Sequence, residues 1–183
     1  MSNRLVSTLR SGARVLGGSR IRIHLALLAV LTVLSWAGTL SAPVILSYPL
    51  LLVALSPRLT FLGLAAAATS LPVFVLIGGI RLLLADPINF DLGRRSAPAI
   101  ADRYGDKWLF KKLNRIAPIG PEATPTLGRQ AAMGALIFAR PTGPVMGIAG
   151  AQGISPLVVA MASVVGTATY LVLVHAGVGA VFG

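Results

Sequence analysis

An apolar chain is interrupted at residues 138–153 by a composition that a membrane-spanning helix does not tolerate in its middle. Between the apolar segments 130–138 and 154–182, this stretch holds one arginine, two prolines and four glycines. In hydrocarbon, backbone groups freed by such a break must be satisfied by packing in protein or by a water-filled cavity. A fixed cation at that depth marks a functional site by default. The pattern predicts a re-entrant element built around Arg140.

Composition supports a membrane location for the whole chain. The 183 residues are 55% hydrophobic and 11% charged, with a mean hydropathy of +0.83, whereas a soluble domain carries roughly 25% charged residues. The net charge is +11 and there is no cysteine. Because the basic residues flank apolar segments, we expect them to meet anionic lipid headgroups rather than nucleic acid. The sequence predicts an all-α integral membrane protein with a single membrane domain, 1–183.

The first part of the chain, 1–22, is a basic segment before a long apolar run. Its leucines fall on one helical face and Arg10 and Arg14 on the other, which predicts an amphipathic helix on the cytoplasmic leaflet; a disordered basic tail is the alternative, since three glycines weaken any helix. The run from Ile23 to Leu40 is long enough to cross the membrane. A secretory signal peptide is the less favoured interpretation, because the basic region and the apolar run are both too long.

The unit 23–85 is expected to contain a first helix, a re-entrant hairpin and a second helix. Pro43, Pro49 and Pro57 divide the apolar residues after the first helix into pieces too short to span, although a single helix kinked at Pro49 remains an alternative. The second helix is predicted over 59–85, kinked at Pro72. Near its end, Arg81 is expected to extend its side chain to the headgroups.

The unit 86–126 carries all five acidic residues and is predicted to be a cytoplasmic amphipathic connection. Asp86 followed by Pro87 is typical of a helix N-cap. A surface helix is predicted over 103–116. The basic residues assigned to the membrane surface are Arg10, Arg14, Lys107, Lys111, Lys112 and Arg115.

The last units are a re-entrant hairpin, 127–155, and a final transmembrane helix, 156–183. Gly147, Gly150 and Gly153, spaced by three, indicate close helix packing. Positive charge on both the N-terminus and residues 94–115 predicts that both face the cytoplasm in a multi-pass protein of the cytoplasmic membrane. His24 and His175 have no cysteine or carboxylate neighbours in sequence, so neither a metal nor another cofactor is expected. The chain shows no hydrolase-like spacing or nucleotide-binding motif, so an enzyme is not expected.

Three blocks in this order resemble the DedA/VTT membrane family, also called SNARE-associated Golgi proteins. They are 81–95, the basic segment starting at Tyr104, and 140–150, and the resemblance extends over about 25–182. The chain departs from the family pattern in three respects. The spacing from Arg140 to Ala149 and Gly150 is shorter than usual. The chain also has no second hairpin arginine near Met146 and no acidic residue before Asp86.

The resemblance implies two re-entrant hairpins facing each other and an activity that moves lipids between leaflets, with polyprenyl phosphate or a phospholipid as cargo. It implies that Asp86 and Arg94 occupy positions of the family's motif and that Arg140 is the first hairpin arginine. An arginine fork and helix ends are suited to phosphate. The expected substrate-binding residues are Arg140, Pro141, Gly143, Pro144, Arg94 and Asp86.

Purely structural roles for the same residues are alternatives to substrate binding. Arg140 could reach water or pair with a carboxylate, and Asp86 could act only as an N-cap or pair with Arg81, Arg94 or Arg140. Two other functions also remain: a non-transporting subunit that anchors a cell-envelope complex, and a proton-coupled small-solute transporter. The expected partners are membrane lipids with anionic headgroups, and a homodimer or a membrane-protein partner is left open.

Overall fold

The computed structural model describes residues 19–104, 126–139 and 142–182, and every regular element within these ranges is an α-helix. In chain order the helices are α1 (Ser19–Leu40), α2 (Ala42–Ile45), α3 (Pro49–Leu55), α4 (Leu59–Ala68), α5 (Leu71–Leu83), α6 (Asp86–Tyr104), α7 (Leu127–Ala139), α8 (Gly143–Ala151) and α9 (Pro156–Phe182). The expected all-α class is confirmed for this part of the chain. Of the predicted basic segment 1–22, residues 1–18 lie outside the described residues and 19–22 belong to α1; of the predicted surface helix 103–116, residues 103 and 104 belong to α6 and the rest lie outside.

Three helical runs are long and apolar enough to cross a membrane: Ile21–Leu40, Leu71–Ala99 and Pro156–Ala180. Two of them lie where the sequence predicts them. Together they indicate an integral membrane protein, since ~20 apolar residues in a helix match the ~30 Å hydrocarbon core.

The predicted second span, 59–85, is wrong in its limits. The chain leaves helical geometry at Thr69 and Ser70, which both have extended backbone angles. Pro72 occupies the first turn of α5, where proline is tolerated. A helix that continued through this point would bring the proline ring against the carbonyl oxygen of Ala68, four residues earlier. The segment is therefore divided into α4 and α5 instead of kinked. At the other end, Leu84 keeps helical angles, so α5 and α6 together form the second membrane-length run.

For the segment 41–57 the sequence left two alternatives, a re-entrant hairpin and a single helix kinked at Pro49, and the structure matches neither of them completely. Pro43 and Pro49 each stand in the first turn of a short helix, α2 and α3, so Pro49 begins a helix instead of kinking one. The break 56–58 then joins α3 to α4, and these two helices pack against each other. The chain thus has two short packed helices here in place of one kinked helix.

Two apolar clusters form the interior, and α9 contributes to both. The first joins α3, α4 and α5 to Leu171 of α9; its buried members are Leu52, Val53, Phe61, Leu62, Ala65, Ala66, Phe74 and Leu171. The second joins α7, α8 and the start of α9 through Met133, Ile137, Met146, Ala149, Ile154 and Val159. The helix α9 is therefore the common support for the short helices on both sides.

The closest approach of two helices is the crossing of α6 over α8. A Cβ atom built at Gly93 would overlap the carbonyl oxygen of Gly147, and one built at Gly150 would overlap that of Phe90. Only glycine allows two helix backbones to approach this closely. The predicted packing role of Gly150 is confirmed. At Gly147 a Cβ atom would lie 3.8 Å from the carbonyl oxygen of Asn89, an ordinary contact, so the glycine required on the other side of this crossing is Gly93. Gly153 has a φ of 67° and serves the turn before α9, a conformation that favours glycine.

Candidate functional site

The carboxylate of Asp86 lies inside the helical assembly, near the midpoint of the second membrane-length run. The hydroxyl of Ser163, on α9, donates a hydrogen bond to its Oδ2 atom. Ser163 is buried and Asp86 is partly buried. Asp86 is the first residue of α6, but its side chain links that helix to α9. The N-cap interpretation is therefore insufficient, and neither Arg81 nor Arg94 forms an ion pair with it within the described residues.

One turn further along α6, Asn89 stands beside the start of α8. Its side-chain amide donates to the carbonyl oxygen of Ala85 at 2.8 Å, and a Cβ atom built at Gly143 would lie 3.1 Å from the Asn89 Nδ2 atom. The start of α8 thus faces the first turns of α6. Of the predicted site residues, Gly143 therefore lies against Asn89, which follows Asp86 by three residues in α6.

The other predicted site residues are not all part of this group. Pro144 is exposed at the start of α8. Arg94 is exposed and two turns from Asp86, about 12 Å along the helix at 1.5 Å per residue. Arg140 and Pro141 lie outside the described residues, although in sequence they directly precede Thr142, the N-cap residue of α8.

A second polar group surrounds Arg81, whose predicted extension to the headgroups is wrong. Its Nε atom donates to the carbonyl oxygen of Ala54 at 2.9 Å, and its Nη2 atom donates to those of Leu55 at 3.2 Å and Leu31 at 3.3 Å. Carbonyls at the C-terminal end of α3 have no partner within their own helix and carry partial negative charge. The guanidinium therefore closes the end of α3 and joins it to α1.

Hydroxyl groups complete the contact between α1 and the end of α3. The fully buried Ser56 has its Oγ atom 3.1 Å from that of Ser35 and 3.4 Å from Oγ1 of Thr39. Nearby, the guanidinium of Arg58 stacks over the ring of Trp36 at 5.7 Å. The break between α3 and α4 is thus held by polar contacts to α1 as well as by the apolar cluster.

Both histidines have partners that the sequence did not indicate. The Nε2 atom of His175 is 3.1 Å from the carbonyl oxygen of Thr69, at the break between α4 and α5. The Nδ1 atom of His24 lies 3.2 Å from Oδ2 of Asp91 but lacks the geometry of a hydrogen bond to it. That oxygen accepts a hydrogen bond from Nε of Arg95 at 2.5 Å. The expectation that His24 has no carboxylate neighbour is wrong in three dimensions. Within the described ranges, no three His, Asp or Glu side chains gather to form a metal site.

The sequence predicts a role for Asp86 and Gly143, which stays a prediction, and it does not indicate Ser163, Asn89 or the contacts of Arg81 as parts of a site. A lone serine in an apolar helix, such as Ser163, gives only a weak signal because serine often bonds to its own helix backbone. The sequence shows Arg81 inside an apolar run. Its hydrogen-bond acceptors are backbone carbonyls of helices distant in sequence, and a pattern of side chains cannot indicate them. Comparisons with protein families, with curated protein sequences and with solved structures gave no match for this chain.

Proposed function

We propose that this protein is a membrane transporter that moves a phosphorylated lipid, a polyprenyl phosphate or a phospholipid, between the two leaflets of the cytoplasmic membrane. The observation that carries the proposal is the pair of broken helical segments, α3–α4 and α7–α8, packed against the membrane-length helix α9. At 1.5 Å per residue, α3 measures about 10 Å and α8 about 13 Å. Neither can cross a hydrocarbon core of ~30 Å.

Broken helices of this kind are useful to a transporter because they bring backbone ends and polar side chains to membrane depth. Substrate sites in transporters are commonly built from the ends of discontinuous helices near the bilayer midplane. Here the start of α8 meets Asn89, while Asp86 and Ser163 supply polar groups between two membrane-length runs. We propose that the two segments are re-entrant hairpins and that Arg140, immediately before α8 in sequence, binds the phosphate.

The resemblance to the DedA/VTT family supports the choice of a lipid as cargo, and the basic residues of the chain support a cytoplasmic N-terminus. A long apolar substrate also fits the apolar outer surfaces of α1 and α9, since a lipid tail can stay in the bilayer while only the headgroup passes along the protein. The proposal therefore needs a polar path only as wide as one headgroup.

The test is a leaflet-exchange assay with purified protein in liposomes that contain fluorescent polyprenyl phosphate or fluorescent phospholipid. The wild-type protein should accelerate exchange of at least one of them over protein-free vesicles. Because the substrate is anionic, Arg140→Ala should return exchange to the protein-free rate while the protein still accumulates in the membrane. Arg58→Ala removes an arginine that stacks on Trp36 and is the matched control. No acceleration by the wild-type protein with either lipid would refute the proposal.

A second function, proton-coupled transport of a small solute, is favoured by one observation. The sequence argued against it because no acidic residue precedes Asp86, yet the structure brings that carboxylate to the middle of the second run in contact with Ser163. Carboxylates at such positions serve as proton carriers in pumps and transporters. Solute uptake that follows an imposed pH gradient and is lost in Asp86→Asn, without any leaflet exchange, would establish this function in place of the first.

A further inference from the structure

Arg81 belongs to one membrane-length run and contacts the middle of another, a position at which a charge in a membrane is costly. Its guanidinium binds the carbonyl oxygen of Leu31, which stands midway along the membrane-length helix α1. Arg81 itself belongs to the second membrane-length run, 71–99. Its neighbours in sequence, Ile80 and Leu82, are apolar. Charged side chains in this setting are rare, and they pair with one another, bind backbone carbonyls or mark a pathway for a substrate.

The three acceptors of Arg81 are neutral. The carbonyls of Ala54, Leu55 and Leu31 orient the guanidinium and stabilise it through their dipoles. No carboxylate lies within ion-pair distance of Arg81 in the described parts of the chain, where Asp91 is the carboxylate found close to basic side chains, those of His24 and Arg95. A full positive charge in a medium of low dielectric is therefore left without a counter-charge from these residues, which favours an anion from outside them.

The guanidinium of Arg81 also has N–H groups that the observed hydrogen bonds do not use. Arginine carries five N–H groups in a planar fork, and the observed bonds of Arg81 use the Nε and Nη2 atoms. The side chain is partly exposed, so the side of the fork that carries Nη1 is available at the edge of the helix bundle. An anchored, planar donor of this kind matches the geometry of a phosphate group.

We propose that Arg81 is an anion site that binds a phosphate group, with the headgroup of an anionic membrane lipid as its source. The carbonyls at the end of α3 hold the guanidinium in place and the phosphate neutralises it. The inference deepens the proposed transport function and rests on it for the choice of lipid over free phosphate. The phosphate site itself rests only on the contacts of Arg81.

The test measures lipid binding to the purified full-length protein by native mass spectrometry, with phosphatidylglycerol and phosphatidylcholine as probes. We expect the wild-type protein to prefer the anionic lipid by about tenfold, which corresponds to ~1.4 kcal/mol. Arg81→Gln keeps an amide that can bind a carbonyl but removes the charge, and it should abolish the preference. The matched control Arg58→Gln removes an arginine that stacks on Trp36 and should keep it.

Each remaining outcome decides a separate question. An unchanged preference in Arg81→Gln would overturn the proposal. If that variant does not accumulate, Arg81→Lys replaces it: one ammonium cannot serve the three carbonyls and a phosphate together, so an undiminished preference in this variant would overturn the proposal equally. Excess inorganic phosphate that displaces the lipid would assign the site to free phosphate, and no displacement would assign it to the lipid. Loss of binding in Arg81→Gln, with no leaflet exchange by the wild-type protein, would keep this site and refute only the proposed transport.

Discussion

Replacing Gly150 with alanine is expected to lower the free energy of unfolding by about 2 kcal/mol or more, because one added carbon has no room at the crossing of α6 and α8. A Cβ atom at this position would overlap the carbonyl oxygen of Phe90 and lie 3.0 Å from the backbone nitrogen of Arg94. Both neighbours are backbone atoms of a helix and cannot rotate away. Alanine gains about 1 kcal/mol in helix propensity over glycine, but separating two packed helices costs more.

The measurement is reversible unfolding in detergent micelles, followed by helical circular dichroism. Gly177→Ala is the control, since no atom of another helix in the described residues lies within 4 Å of a Cβ built at Gly177 in the helix α9. This substitution should be neutral or stabilise the protein by up to about 1 kcal/mol. Equal effects of the two substitutions would mean that α6 and α8 do not cross as closely as described.

Replacing Arg81 with alanine is expected to destabilise the protein by about 2–4 kcal/mol, since three carbonyl oxygens lose a charged donor at once. Two of them, those of Ala54 and Leu55, belong to the end of α3, and the third belongs to α1. With no water in the bilayer core to replace the guanidinium, these groups would stay unsatisfied. The helix α3 should then lose its fixed position against α1.

The same unfolding assay measures the Arg81→Ala effect, and amide hydrogen exchange should show faster exchange in α3 and in the middle of α1. Arg58→Ala is the control because its guanidinium stacks on Trp36 at an exposed position, a contact worth about 0.5–1 kcal/mol. Equal destabilisation by the two substitutions would show that the carbonyl contacts of Arg81 contribute little.

The sequence predicted the long helices well where apolar length alone decides the outcome. The end of α1 at Leu40 and the start of α9 at Pro156 are as expected, whereas α1 begins at Ser19, inside the predicted basic segment and before the predicted start at Ile23. The second span was misjudged because apolar character continues through Thr69 and Ser70 without a break in composition. The break consists of two residues with extended backbone angles before α5. The carbonyl oxygen of Thr69 is then contacted by His175, which lies 106 residues further along the chain.

The candidate site could be predicted only in part, and for a similar reason. Asp86 was visible as an acidic residue beside an apolar run, and Gly147 and Gly150 were visible as small residues at helical spacing. The partner of Asp86 is Ser163, 77 residues later, and the partners of Arg81 are backbone atoms of other helices. Long-range contacts such as these depend on how helices are arranged around α9, which local patterns in one sequence do not specify.

The most direct test of the account asks whether the helix α3 lies within the membrane. The chain has no cysteine, so single cysteines can be introduced at Ser47, in the exposed turn before α3, and at Ala54, an exposed position near its end. In vesicles with the protein in both orientations, a membrane-impermeant maleimide should label Ser47→Cys rapidly. It should label Ala54→Cys only after the membrane is dissolved. Equal labelling of both cysteines in intact vesicles would place the end of α3 in water and contradict the account.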